Sequence, residues 1–434
     1  MEPETNMRSP CPYIASLLAP AIWLALPAAP LHAQSHSHDY EDVDPWAGVT
    51  PPNKGPDSSA VAGFLSSLPA INPVLCQFVV QSIGNNWGNM DPHYQPGHLA
   101  AEQAIEKERQ TLSRRVTDHA ALSHLAQSLG HRSSCVRRAA ARMLGHSEEP
   151  EAVRHLRAAL TRADALEREA AALGLADAED PSAFHDLTRA LRDREGAVAR
   201  MAAYALGELE DARAVKPLGE LLRSSDPETR ATAAAALGEI EDIRATNRLT
   251  ELVRDDDYRV RLASIEALGE IEDHRATGAL TQALKDRQIE VRRAAAEALG
   301  ELENPKSADA LAQTLEDPDL VVRRLAAQSL GELDDLQRAP PRLIAALADR
   351  DAELRVIAAH SLGEIGDSSA VPSLSRAYTG AEPRLRFAIV QALAEMEDRR
   401  GDAVLALAAR ENDSAIREAA ADALKDRREE DDDD

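Results

Sequence analysis

The chain has 434 residues, a formal net charge of −25 and only 3% aromatic side chains. That acidity excludes a sequence-independent nucleic-acid binder and an anionic-membrane binder, since both need a positive face; it fits a self-repelling soluble surface or one adapted to high salt. So few aromatics exclude a conventional large core, and the alanines and leucines at apolar positions suit helix packed on helix.

At the N-terminus, Arg8 precedes an apolar run from Tyr13 to Leu26, then PAAPLHA ending at Ala33. A charged start, an apolar stretch too short to span a bilayer stably and a small residue at a cleavage point predict an export signal over residues 1–33. An uncleaved anchor is the alternative; in both cases the remainder is expected outside the cytoplasmic membrane, periplasmic or extracellular. Export leaves Cys76 and Cys135 where disulfides persist, so they are a candidate bond whose separation the sequence does not give. Residues 34–57 read as a disordered leader. Gln34-Ser35-His36 with a free amine has donors for square-planar Cu(II), and His38 follows; a flexible polar tail is the weightier reading.

Residues 58–116 read as an N-terminal helical cap containing one degenerate repeat, NPVLCQFVVQSIG (72–84). The regular array follows over 117–426. Anchored on the small residue after a leucine, its copies fall at Gly145, Gly174, Gly207, Gly238, Gly269, Gly300, Gly331, Gly363, Ala394 and Lys425, in steps of 29, 33, 31, 31, 31, 31, 32, 31 and 31. A fixed period of this size signals a solenoid. Each unit predicts two helices. In the second, Val291, Ala294, Ala295, Ala298, Leu299 and Leu302 make an apolar stripe, with Arg293, Glu297 and Gly300 on the other side. The helix after it, ADALAQTL (308–315), stripes in the same way. Turns such as Asp226-Pro227 supply a cap and a first-turn proline. The glycine is expected to let another backbone approach. The fold expected is an all-α solenoid of about ten two-helix repeats, and 427–434 is an acidic tail.

The recurring block V-R-x-x-A-A-x-A-L-G-x-I resembles the HEAT-like repeats named after phycobilisome lyases. That resemblance implies protein binding on a concave surface lined by second helices. It also raises enzymes. Bilin lyases share the repeats alone, and deoxyhypusine hydroxylase resembles the array but binds two irons through His-Glu pairs; no His-Glu dipeptide occurs here. Neither a nucleophile motif, a phosphate loop nor a CxxC is present, so no catalytic residue and no cofactor are expected.

Two columns are constant along the array. Eight residues before the anchor stand Arg230, Arg261, Arg292, Arg323, Arg355 and Arg386; one after it stand Glu239, Glu270, Glu301, Glu332 and Glu364. Both are expected to join neighbouring units through hydrogen bonds and ion pairs. Variable positions are the better guide to a partner: Arg200 and Tyr204 form one cluster, and Val356, His360, Phe387 and Gln391 a second, less charged one. The function expected is a monomeric, exported scaffold that holds a partner protein.

Overall fold

The computed structural model describes residues 56–68 and 115–433. The export signal, His36, His38, Cys76 with its degenerate repeat, and the side chains of the acidic tail lie outside the described residues. The chain divides into two units, one up to His155 and one from Leu156 onward.

In the first unit α1 (Ser58–Ser67) packs against α2 (His119–Ser128) and α3 (Ser134–Gly145). Val61 and Leu68 are fully buried there and Phe64 nearly so. Asp57 and Asp118 cap α1 and α2 through their carboxylates. α4 (Pro150–Ala159) crosses the boundary. Cys135, near the start of α3, is held in a disulfide; its partner cysteine lies outside the described residues.

The second unit alternates short and long helices. The short first helices are α6 (Phe184–Ala190), α8 (Val215–Leu221), α10 (Thr246–Leu252), α12 (Thr277–Ala283), α14 (Ala308–Thr314), α16 (Pro341–Ala346), α18 (Val371–Tyr378) and α20 (Asp402–Ala408). The longer second helices are α5 (Ala165–Ala178), α7 (Gly196–Glu208), α9 (Pro227–Glu239), α11 (Tyr258–Glu270), α13 (Ile289–Glu301), α15 (Leu320–Gly331), α17 (Ala352–Ile365), α19 (Pro383–Glu395) and α21 (Ser414–Asp433). Each first helix packs on the second helix that follows it, and the second helices touch one another in an unbroken row. Each first helix places one leucine fully inside: Leu187, Leu218, Leu249, Leu280, Leu311, Leu343, Leu374 and Leu405. The second-helix leucines, such as Leu206, Leu237, Leu268 and Leu299, are equally buried. No helix among the described residues is long and apolar enough to cross a membrane.

Sequence signals explain the boundaries. Asp226, Asp257, Asp319 and Asp351 cap second helices by accepting from the next turn's N–H groups. After each second helix the backbone turns left-handed at Glu179, Glu210, Glu241, Glu272, Glu303, Asp335 and Glu397, and at Gly366 in the remaining unit. There the Glu210 N–H donates to the Gly207 carbonyl at 2.8 Å and the Gly366 N–H to the Gly363 carbonyl at 2.9 Å.

These turns correct the register. The left-handed positions 148, 179, 210, 241, 272 and 303 are evenly spaced, 31 residues apart. Three residues before Glu179 stands Ala176, not Gly174, so the unit is not two residues short. A second leucine pair, Leu173-Gly174 ahead of Leu175-Ala176, displaced the anchor. The one-sided stripe also needs correction. Ala296 is fully buried and Gly300 is buried, because a second helix packs on its own first helix and on second helices at both sides.

Candidate functional site: the row of second helices

The arginine column forms a cross-repeat ladder, but not with the glutamates expected to join it. Arg168, Arg230, Arg261 and Arg292 each clamp an aspartate 25 residues on: Asp193, Asp255, Asp286 and Asp317, at 2.7–3.0 Å. A remaining N–H reaches back to a carbonyl before the helix, as Arg261 does to Asp255 O at 2.8 Å. Arg261 is only 5% exposed, so the pair is desolvated and bidentate, the geometry that suits a guanidinium. Arg355 and Arg386 use Glu382 and Glu411 instead. Arg323 binds only the carbonyls of Asp317 and Pro318 among the described residues. The aspartates were missed by sequence reading, although each follows a first helix at a constant distance from its arginine.

A second ladder accounts for Arg200. Its Nη1 lies 3.0 Å from Asp226 and its Nη2 3.4 Å from Glu228. Arg293 and Arg324 grip Asp319 and Asp351 in the same way, and Asp226, Asp319 and Asp351 are all helix caps. Arg200 is therefore a link between repeats and not a free anchor for a partner. A third set occupies the turns: Arg244, Arg275 and Arg400 pair with the aspartate two residues before them and donate to carbonyls of the preceding repeat, Ala212, Ile243 and Ser368, each at 2.8 Å.

Other singled-out residues divide. Val356 is 5% exposed, which removes it from any surface patch: its helix face meets neighbouring second helices. His360 shares α17 with it and is half-buried, and desolvation holds its imidazole below the usual range. Phe387 and Gln391 sit half-buried on the adjoining α19, with Gln391 Oε1 lacking a hydrogen-bond partner. Tyr204 is half-buried and hydrogen-bonds Glu208 one turn on.

The glutamate column behaves differently from every arginine. Glu208, Glu239, Glu270, Glu301, Glu332, Glu364 and Glu395 stand at the ends of successive second helices. No basic residue occupies the last turn of those helices, so each carboxylate faces the negative end of a helix dipole. Among the described residues no ion pair engages any of the seven; Glu332 accepts one neutral bond, from Gln328 at 2.8 Å. Burial, then the carboxylates of Glu239, Glu266, Glu301 and Glu241, push Glu270 up to about 8. Burial and Glu239 raise Glu208 to about 7. Burial with Glu297 and Glu301 raises Glu266 to about 7.

The glycines explain where these side chains go. A β-carbon on Gly207 would lie 2.9 Å from Ala236 Cα, and one on Gly238 2.8 Å from Ala267 Cα. The expected close approach of backbones is there. In addition, the carboxylates of Glu270, Glu301, Glu332, Glu364 and Glu395 lie where β-carbons of Gly238, Gly269, Gly300, Gly331 and Gly363 would point. Each glutamate reaches back across the seam onto the preceding repeat. No group of three or more metal-ligating side chains among the described residues is placed to hold an ion.

A family model for HEAT repeats matches in overlapping segments from 110–176 through to 340–425, most of the chain. The chain belongs to the HEAT repeat family. The HEAT array resembles solved solenoids. The Kap95p–RanGDP structure is 16% identical over 84% of this chain and 59% of that one, at a TM-score of 0.50. An engineered protein is 22% identical over 71% of this chain and 98% of that one, at 0.45. The CpcE–CpcF complex of phycocyanin lyase from Nostoc sp. PCC7120 is 24% identical over 52% and 92%, at 0.34. Comparison with curated proteins found no match.

Proposed function

We propose that this HEAT array is an exported scaffold that holds a partner protein along its row of second helices. The carrying observation is the glutamate row. Its charge meets no cation among the described residues, whereas Arg230, Arg261 and Arg292 are consumed by their own ladder. A partner bringing lysine or arginine side chains would complement that row and gain on-rate from it. A fold shared with Kap95p, whose structure concerns RanGDP, supports a binding role by analogy only. Export rests on the signal-like segment over residues 1–33 and is supported by the disulfide at Cys135, since such bonds persist in oxidising compartments. The scaffold works by surface, with no cofactor and as a single chain.

The test is an affinity capture from an envelope extract, with the native chain beside a Glu208→Gln, Glu239→Gln, Glu270→Gln, Glu301→Gln variant. One partner retained by the native chain and lost by an equally folded variant supports the reading. Equal retention moves the contact to another face. The N-terminal mass of the native protein tests export: a chain that still carries residues 1–33 and sits in the cytoplasm overturns that part.

A further inference from the structure

Protonation is the other way to relieve the glutamate row, and it needs no partner. Three unfavourable terms meet on Glu239 and Glu270: partial burial at the seam, a helix C-terminus and like-charged neighbours. All three act on the charged form alone. The carboxylates of Glu270 and Glu301 also lie across the joint between two repeats, over Gly238 and Gly269, so their charge state bears on how closely the second helices stack. We propose that the row from Glu239 through Glu301 is a proton-operated seam, which draws the second helices together when protonated and loosens them when fully ionised.

Among the described residues no cation pairs with these carboxylates. Glu270 on α11 is acted on by Glu239 of α9 and Glu241 of the turn after it, by Glu266 of its own helix and by Glu301 of α13; no group on α10 contributes. Glu239 is raised by burial and then by Glu210 and Glu241. Glu301 is raised by burial, then by Glu297, Glu332 and Glu272. Glu270 and Glu239 are half-buried while Glu301 is exposed, so the effect centres on Glu270, which also lies over Gly238. A carboxyl raised in the folded state stabilises it fully below the unfolded value, and that stabilisation fades as pH rises through the folded value. The seam therefore weakens between ordinary carboxylate pH and about 8, the value of Glu270.

The experiment compares the full chain with a Glu239→Gln, Glu270→Gln, Glu301→Gln variant, which keeps shape and removes charge. For the native chain the melting midpoint falls from about pH 5 to about pH 9, and amide exchange in α9, α11 and α13, corrected for its intrinsic pH dependence, speeds up by about tenfold per unit of carboxyl shift lost. The variant shows neither change, and added salt restores part of the native midpoint at alkaline pH by screening. A variant that keeps the native pH profile overturns the proposal, as does a native chain with no decline. Should the variant not fold, carboxyl-carbon NMR of the native chain decides: Glu270 titrating at an ordinary carboxylate pH overturns it.

Discussion

Replacing Gly238 by alanine measures how tightly the repeats are stacked. Its new β-carbon would lie 2.8 Å from Ala267 Cα and 2.9 Å from Ala267 Cβ. Carbon atoms rest about 3.5–4.0 Å apart, so the helices must separate by roughly 1 Å. The Glu270 carboxylate can swing aside, but Ala267 is fully buried and its helix is held on both sides, so the remaining clash falls on backbone. Overpacking of this kind costs about 1–3 kcal/mol, while alanine in place of glycine within a helix returns about 1 kcal/mol. The net expectation is a loss of up to about 2 kcal/mol, with no gain. Gly278 in α12 is the control: a β-carbon there meets nothing within 4 Å, so Gly278→Ala stabilises by up to about 1 kcal/mol. Urea melts of both variants read the two signs. If Gly238→Ala gains as much as Gly278→Ala, the seam is looser than these distances and the reasoning fails.

Arg261→Ala leaves Asp286 desolvated and unpaired and frees the Asp255 carbonyl, so it should cost about 3–5 kcal/mol; a loss under 1 kcal/mol in a urea melt would show the ladder to be ornamental. Gly366→Ala should destabilise by about 1 kcal/mol because its φ is 67°, whereas Glu272→Gly at the equivalent turn should stabilise, both read by thermal melting. Asp273 is drawn down to about 2 by Arg275, so its stabilisation is complete above the ordinary aspartate range and is lost as pH falls toward 2; Arg275→Ala should abolish that part of the acid limb in a pH-dependent melt. Val356→Ser, at a buried position, should lower the melting temperature, where a surface residue would leave it unchanged.

Periodicity made the array legible. Leucines and alanines at helical spacing, Asp226-Pro227 at a turn and glycine where backbones meet each have one physical reading, and the structure carries all three. What periodicity leaves out is which constant residue touches which. Arg261 and Glu270 recur with the same regularity, yet the first lies buried against Asp286 and the second meets no cation among the described residues. Both columns look alike in sequence because spacing records position along a helix and not the neighbour facing it across the seam. Variation misled in its own way. Arg200 differs from Ala231 and Leu262 at the same repeat position, yet it pairs with the cap of the next helix. Val356 is a core exchange for a polar residue, which a list of variable positions cannot separate from a contact surface.

The even spacing of the ladders also bears on how such a chain could arise. Arg230 reaches Asp255, and Asp286 stands 31 residues beyond that. Excising residues 242–272 would bring Asp286 into the place of Asp255 and set Glu301 over Gly238 in place of Glu270. The buried arginine–aspartate link and the glutamate over its glycine both find equivalent ends, so a gene segment of one unit could be lost or copied without leaving those buried charges stranded. Length in this protein is thus a quantity open to recombination, and a chain shortened by that one segment should still fold.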